Sequence, residues 1–269
     1  MIDCHAHISS DVFDPDRDRV IERAQQAGVN AIIAMSENLD DSRRVLQLGR
    51  DYPGVLLPCI GIHPDNFGDD RQVPTDEDIA EITFMIRENR KALIGIGEVG
   101  LDYWVARSKD HRLKQRAFLR QMAEMANELS LTLSVHCRSA GRYTLDLLAE
   151  CGTQKVMMHA FDGKAGHALD AFQKYGWIFS IPPSVVRSVQ KQRLVRLLPL
   201  DALALESDSP ALGPDPALRN EPANLVLVVQ NIADIKKETA ETVRLATTRN
   251  AKSLFGPALA SSLLRQVHV

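Results

Sequence analysis

Cysteine is scarce in this chain of 269 residues: four, at positions 4, 59, 137 and 151, with no CxxC pair and no regular spacing. That excludes a disulfide framework and a four-thiolate zinc site, and it fits a reducing compartment. Positive charge is not in excess either. Lys and Arg number 32 against 35 Asp and Glu, a net charge of -3 with His neutral, which excludes a histone-like or basic-arm protein that holds a long polyanion by charge alone. An enzyme that binds a few phosphates locally is not excluded, because metal ions can supply the missing positive field. Long apolar runs are also lacking. No window approaches the roughly eighteen uninterrupted apolar residues of a membrane span, and the opening MIDCHAH has charge and histidine where a signal peptide needs a basic flank and an apolar run. The expectation is a protein that is not secreted, has no membrane association, and works in the cytoplasm and/or nucleus.

What is present is a repeated pattern. Short apolar, partly β-branched runs fall near 1–5, 30–35, 55–62, 92–97, 131–135, 155–158, 177–181 and 203–205, each too short for a globular helix. Between them lie segments with a period near 3.6, clearest for Phe118, Met122, Met125, Ala126 and Leu129, then for Leu225, Val228, Val229, Ile232 and Ile235. Eight strand and helix units in about 250 residues match a (β/α)8 TIM barrel, an α/β fold with a parallel sheet covered by helices. No composition break marks a second domain, so 1–269 reads as one barrel. The Pro- and Gly-rich stretch 207–222 and the interval 97–112 are expected as long loops at the same end of the barrel, where such folds keep their active sites. The final helix is expected over 238–250, with the tail beyond Pro257 packed loosely.

The polar residues follow the same plan. In extended geometry Asp3, His5 and His7 project to one side. The third run leads into GIHP with His63, the fourth into GEVGLDY with Glu98, the fifth into HCR with His136, the sixth into HAFDG with His159, and the eighth into ESDSP with Asp208. The starts of these runs carry almost no ionisable groups. His, Glu and Asp gathered from several strand ends at one barrel mouth are what a metal centre built across strands requires. Four histidines and two carboxylates exceed the needs of one structural zinc. They suit two ions sharing a bridging Glu98, with His5, His7 and Asp208 on one and His136 and His159 on the other, and so a hydrolase that activates water.

Cys4 and Cys137 alternate with these residues and read as core side chains, while His111, His167 and His268 read as structural or surface groups. Tyr103 and Trp104 are either an apolar plug or an aromatic pair that stacks a base. Arg138 and Arg219, on mouth loops, are either contacts to an anionic substrate or salt bridges that order a loop.

The ordered set Asp3-x-His5-x-His7, GIHP at 61–64, GEVGLDY at 97–103, HCR at 136–138, HAFDG at 159–163, ESDSP at 206–210, RNEP at 219–222 and Asn250-Ala251-x-x-Leu254-Phe255-Gly256 closely resembles the TatD-like family of metal-dependent deoxyribonucleases, within the amidohydrolase-like superfamily. The animal branch described as TatD DNase domain containing 3 is the nearest likeness, and the match covers about 1–256. The resemblance implies a TIM barrel with two divalent ions and sometimes a third, Zn, Mg or Mn, and hydrolysis of DNA phosphodiester bonds. It implies His5 and His7 as ligands of the first ion, Glu98 as the bridge, His136 and His159 as ligands of the second, and Asp208 as ligand and proton acceptor. His63 is implied to lie near the scissile phosphate, and Arg138 and Arg219 stand in the family's matching HxR and RNxP motifs.

Two departures are local. Glu206-Ser207-Asp208 stands where the family commonly has Glu-Thr-Asp, and FSIPPS at 179–184 places two prolines beside the mouth, which stiffens that loop and bears on specificity. The function expected is a metal-dependent, exonucleolytic deoxyribonuclease that binds DNA with modest affinity as a monomer without a stable protein partner. The rivals are an amidohydrolase, lactonase or small phosphoesterase using the same metals, and a metal-stabilised interaction scaffold.

Overall fold

A computed structural model describes residues 1–256 and Leu259. The chain runs β1 (Ile2–Ala6), α1 (Arg17–Gln26), β2 (Ala31–Met35), α2 (Leu39–Asp51), β3 (Leu56–Ile60), α3 (Asp76–Glu88), β4 (Gly95–Asp102), α4 (Lys109–Leu129), β5 (Thr132–Arg138), α5 (Gly141–Glu150), β6 (Val156–Met158), α6 (Ala165–Tyr175), β7 (Ile178–Ile181), α7 (Val189–Leu197), β8 (Leu203–Leu205), α8 (Leu225–Lys236) and α9 (Ala240–Phe255). The eight strands form one sheet in sequence order, every pairing parallel. Backbone bonds from Asp208 N to His5 O (2.9 Å) and from His7 N to Ser209 O (2.8 Å) join the last strand's end to the first. The architecture is a (β/α)8 TIM barrel.

Strands β1 to β4 and β6 to β8 are buried along their whole length, as a parallel sheet covered by helices should be, and β1 and β4 carry the buried polar residues Asp3, His5, Glu98 and Asp102 among their apolar ones. Helix α4 buries Phe118, Met122, Met125, Ala126 and Leu129, and α8 buries Val228, Val229 and Ile232, the faces that the 3.6-residue spacing marks. No helix among the described residues is long and apolar enough to cross a membrane.

Helix α9 covers the end of the barrel where strands begin. Its Asn250 donates to the carbonyls of Leu200 and Leu203, and Thr132, which opens β5, donates to Leu254 O. The helix spans Ala240–Phe255 rather than 238–250: Thr239 caps its start by accepting from Thr242 N, and Asn250 turns inward to β8 instead of ending it. His268 and the tail expected to pack loosely lie outside the described residues, apart from Leu259.

Two strands are longer than the apolar runs indicate. Strand β4 continues to Asp102 and β5 to Arg138, paired from Val99↔Val135 through Asp102↔Arg138. Glycine makes this close pairing possible. A Cβ on Gly100 would stand 2.1 Å from His136 O, and one on Gly97 would stand 2.8 Å from Ser134 O. Glu98 and His136 therefore sit inside paired strands rather than on loops after them.

Candidate metal centre

The ends of β1, β4, β5, β6 and β8 converge on Glu98. Its two oxygens face different partners. Oε2 lies 3.2 Å from His5 Nε2 and 3.1 Å from His7 Nε2. Oε1 lies 2.8 Å from His136 Nδ1, 3.4 Å from His63 Nε2 and 3.8 Å from His159 Nε2. Asp208 closes the cluster from β8, with Oδ1 at 3.6, 3.7 and 3.7 Å from Nε2 of His5, His7 and His159. Asp208 adopts a left-handed backbone with φ 51°, which a short polar side chain tolerates better than most. The structure thus brings together His5, His7, His63, Glu98, His136, His159 and Asp208.

Outer partners orient these rings. Nδ1 of His159 lies 2.7 Å from Glu206 Oε2, and Glu206 also accepts from Ser180 Oγ (2.5 Å) and Ala160 N (2.9 Å). Nε2 of His136 lies 3.2 Å from Asp102 Oδ2, which also receives Arg138 at 2.9 Å. Nδ1 of His63 accepts from Asp65 N at 3.0 Å, leaving Nε2 for the Glu98 side. Asp3 sits below the cluster, accepting from Ser207 N (2.8 Å) and His5 N (3.2 Å).

Electrostatics follow from burial and crowding. Burial drives His5 down to about 3, and the neighbouring His159 charge adds to it. Burial also opposes charge on His7 and His159, yet Glu98, Asp208 and Glu37 carry His7 up to about 9, and Glu206, Asp208 and Glu98 carry His159 up to about 10. Glu98 is held well below the usual carboxylate range despite its burial, because His63, His5 and His159 surround it. Burial pushes Asp208 up to about 6 and Asp3 up to about 7.

These residues fit divalent cations. Oε2 of Glu98 is buried and accepts no hydrogen bond, although two imidazole nitrogens stand beside it. A dry carboxylate oxygen without a donor is costly unless a cation meets it. Three groups have ligand atoms within 4.8 Å of one another: His5, His7 and Asp208; His63, Glu98 and His136; and His5, His159 and Glu206. The first is the trio expected for one ion. The second differs from the expected pairing of His136 with His159, because His159 stacks on His5, ring centroids 3.6 Å apart, and lies 6.0 Å from the His136 ring.

Glu206 and Asp102 were not singled out from sequence. Each does carry a signal: Glu206 lies two residues before Asp208, and Asp102 four after Glu98, spacings that return to the same strand face. Of the remaining candidates, Tyr103 is half-buried between Arg112, at 4.5 Å from its ring centroid, and Tyr143, at 5.4 Å. Arg219 donates to both Asp16 oxygens (2.8 Å each) and to Val12 O (2.7 Å), and lies over Phe13. Cys4 and Cys137 are buried and free, His111 pairs with Asp69 at 3.0 Å, and His167 lies on α6.

The sequence profile of TatD related DNases matches residues 2–256. Deoxyribonuclease TATDN3 of Homo sapiens is 43% identical over 260 residues, covering 95% of this chain and 94% of that protein. The 3'-5' ssDNA/RNA exonuclease TatD of Pectobacterium parmentieri is 32% identical over 266 residues, covering 95% of this chain and 99% of that protein. Among solved structures, the TatD homolog YjjV of Escherichia coli K12 superposes with a TM-score of 0.86 at 23% identity, covering 95% of this chain and 97% of that one.

Proposed function

Because the chain belongs to the family of TatD related DNases, we propose that it is a deoxyribonuclease that hydrolyses DNA phosphodiester bonds, trimming from a strand end, with two divalent ions that Glu98 and the surrounding histidines would hold. The observation that carries this reading is the division of Glu98, with one oxygen toward His5 and His7 and the other toward His136, His63 and His159. His5, His7 and Asp208 are assigned to one ion, and His136 and His159, with Glu98 between, to the other. Zn, Mg or Mn is the identity to be distinguished, and His63, with Nε2 3.4 Å from Glu98 Oε1, stands where a phosphate or a third ion would meet the centre.

Bound ions of this kind lower the pKa of coordinated water and neutralise charge on phosphate. Asp208, buried and at the centre of the histidine cluster, receives the proton of the attacking water. Glu98 fixes the two halves of the centre in register. His63, at 17% side-chain exposure on the rim, orients the phosphate or protonates the leaving oxygen. Arg138, half-exposed beside Asp102, meets a neighbouring phosphate, and Tyr103 shapes the mouth. Arg219 is assigned a bracing role between the β8 and β1 loops, since Asp16 and Val12 already engage its guanidinium.

Human and bacterial relatives are named for action on DNA, and on single-stranded DNA or RNA, respectively. The decisive test is a substrate panel. Metal-free protein is reconstituted separately with Mg, Mn and Zn and assayed on end-labelled single-stranded, duplex and abasic DNA beside a small phosphodiester and a lactone. Stepwise shortening of labelled single-stranded DNA is expected; cleavage of the lactone alone would overturn the proposal in favour of an amidohydrolase.

A further inference from the structure

A tryptophan with 66% of its surface in water is an expensive surface feature, and here it stands at the mouth. Trp104 follows Asp102 by two residues and its backbone N–H donates to Asp102 Oδ1 at 2.9 Å, while Asp102 Oδ2 lies 3.2 Å from His136. The loop that presents the indole is therefore tied directly to the side chain that holds a histidine of the metal centre. After the next strand, at the start of α5, Tyr143 is 56% exposed. Its ring is supported by Tyr103, 5.4 Å away, which is itself backed by Arg112 at 4.5 Å. Tyr143 thus stands on a ring backed by a guanidinium, and Trp104 on a loop pinned by Asp102, while both keep much of their surface free.

The charge around this side of the mouth suits a polyanion. The side chains of Arg138 and Arg142 are 46% and 68% exposed while bonding Asp102 and Asp146. Lys164 is exposed on the neighbouring β6 loop, without an ion pair among the described residues, beside Gly163, which lies against Gly141 at the head of α5. The β1–β2 side is different. There Arg17, Arg44 and Arg219 are paired with Asp14, Asp11 and Asp16, and Glu37 stands exposed 3.9 Å from His7. Both sides carry arginines paired with carboxylates, and Asp146 and Asp162 are exposed on the β4–β6 side; what distinguishes that side is Lys164 together with the aromatic faces, where the other has Glu37 beside His7.

We propose that Trp104 and Tyr143 form a base-stacking platform on the β4–β6 rim, and that a single-stranded polynucleotide enters the metal centre across it, its bases on the two rings and its phosphates along Arg138, Arg142 and Lys164. Aromatic faces accept any base, so the platform selects unstacked strands rather than sequence. A paired duplex offers no free base face except at its end, so single strands and frayed ends are preferred. The inference rests on the nuclease reading for its substrate, but it concerns binding and is testable apart from cleavage.

The two tryptophans make the test unusually direct. Trp177 is fully buried with its Nε1 bonded to Thr153 O, so Trp104 is the tryptophan that a base can touch. The protein is titrated with oligothymidylate, with an abasic deoxyribose-phosphate oligomer of equal length, and with a blunt duplex, following tryptophan fluorescence. Saturable quenching by oligothymidylate is expected, with little effect of the abasic oligomer, and none in Trp104→Phe, which leaves only the buried Trp177 to fluoresce. Tyr143→Ala should weaken oligothymidylate binding by about fivefold or more while changing abasic binding much less. Cleavage of oligothymidylate without quenching would overturn the platform and leave the nuclease reading intact. Quenching without any cleavage would support the platform and count against the nuclease reading. Equal loss of oligothymidylate and abasic binding in Tyr143→Ala would show that bases are not what Tyr143 holds, and would also overturn the platform.

Discussion

Nδ1 of His159 lies 2.7 Å from Oε2 of Glu206, and that contact turns the ring's Nε2 toward Asp208 and Glu98. A carboxylate behind a histidine fixes its tautomer and raises its basicity, which tightens any metal the other nitrogen holds. Glu206→Gln is therefore expected to weaken metal binding by about 10- to 100-fold, with the fold retained. Competition against a chromophoric chelator measures this directly; unchanged affinity would remove Glu206 from the centre.

Asp208 faces three imidazoles at 3.6 to 3.7 Å and is the carboxylate assigned to take a proton. Asp208→Asn should lower kcat by about 100-fold or more, with circular dichroism and melting temperature close to those of the parent. A normal rate at saturating metal would contradict the assignment.

Chelated protein should lose thermal stability as pH rises from neutrality. His7 and His159 are held at about 9 and about 10, above the ordinary histidine value of 6.5. The folded state therefore binds their protons more tightly than the unfolded chain. Their stabilisation is complete below 6.5 and is lost as pH climbs through about 9 and about 10. Calorimetry in chelator across this range should show a falling Tm, and a Tm that is flat or rises there would contradict the charge arrangement around Glu98 and Asp208.

Gly100 permits β4 to approach β5 at His136, since an added Cβ would meet His136 O at 2.1 Å on a backbone with φ 154°. Gly100→Ala should destabilise the protein by about 2 kcal/mol or more and displace His136 from Glu98. Urea unfolding gives the first quantity and metal stoichiometry the second; a fully stable variant with two ions bound would show that the strand contact is dispensable.

The barrel and much of its centre are legible from sequence for a physical reason. A parallel strand buried on both faces must be apolar until it reaches the mouth, so His63, His159 and Asp208 stand out at the ends of their runs. Glu98 and His136 were recognisable by type but misplaced relative to their strands. Gly97 and Gly100 break the apolar run on paper while allowing the closest strand contact in space. Glu206 and Asp102 escaped selection because their partners, His159 and His136, come from other strands, and a carboxylate's hydrogen bond to a distant ring leaves little local trace. The grouping of His63 with Glu98 and His136, and the stacking of His159 on His5, depend on ring orientations that spacing does not encode.

The most direct test of the two-ion account is a titration of metal-free protein in which bound metal and cleavage of end-labelled single-stranded DNA are measured on the same samples. The account predicts no cleavage in chelator, a rate that rises with metal content, and full activity only with the second equivalent bound. Full activity with no metal, or full activity at one equivalent that a second bound ion leaves unchanged, would contradict it.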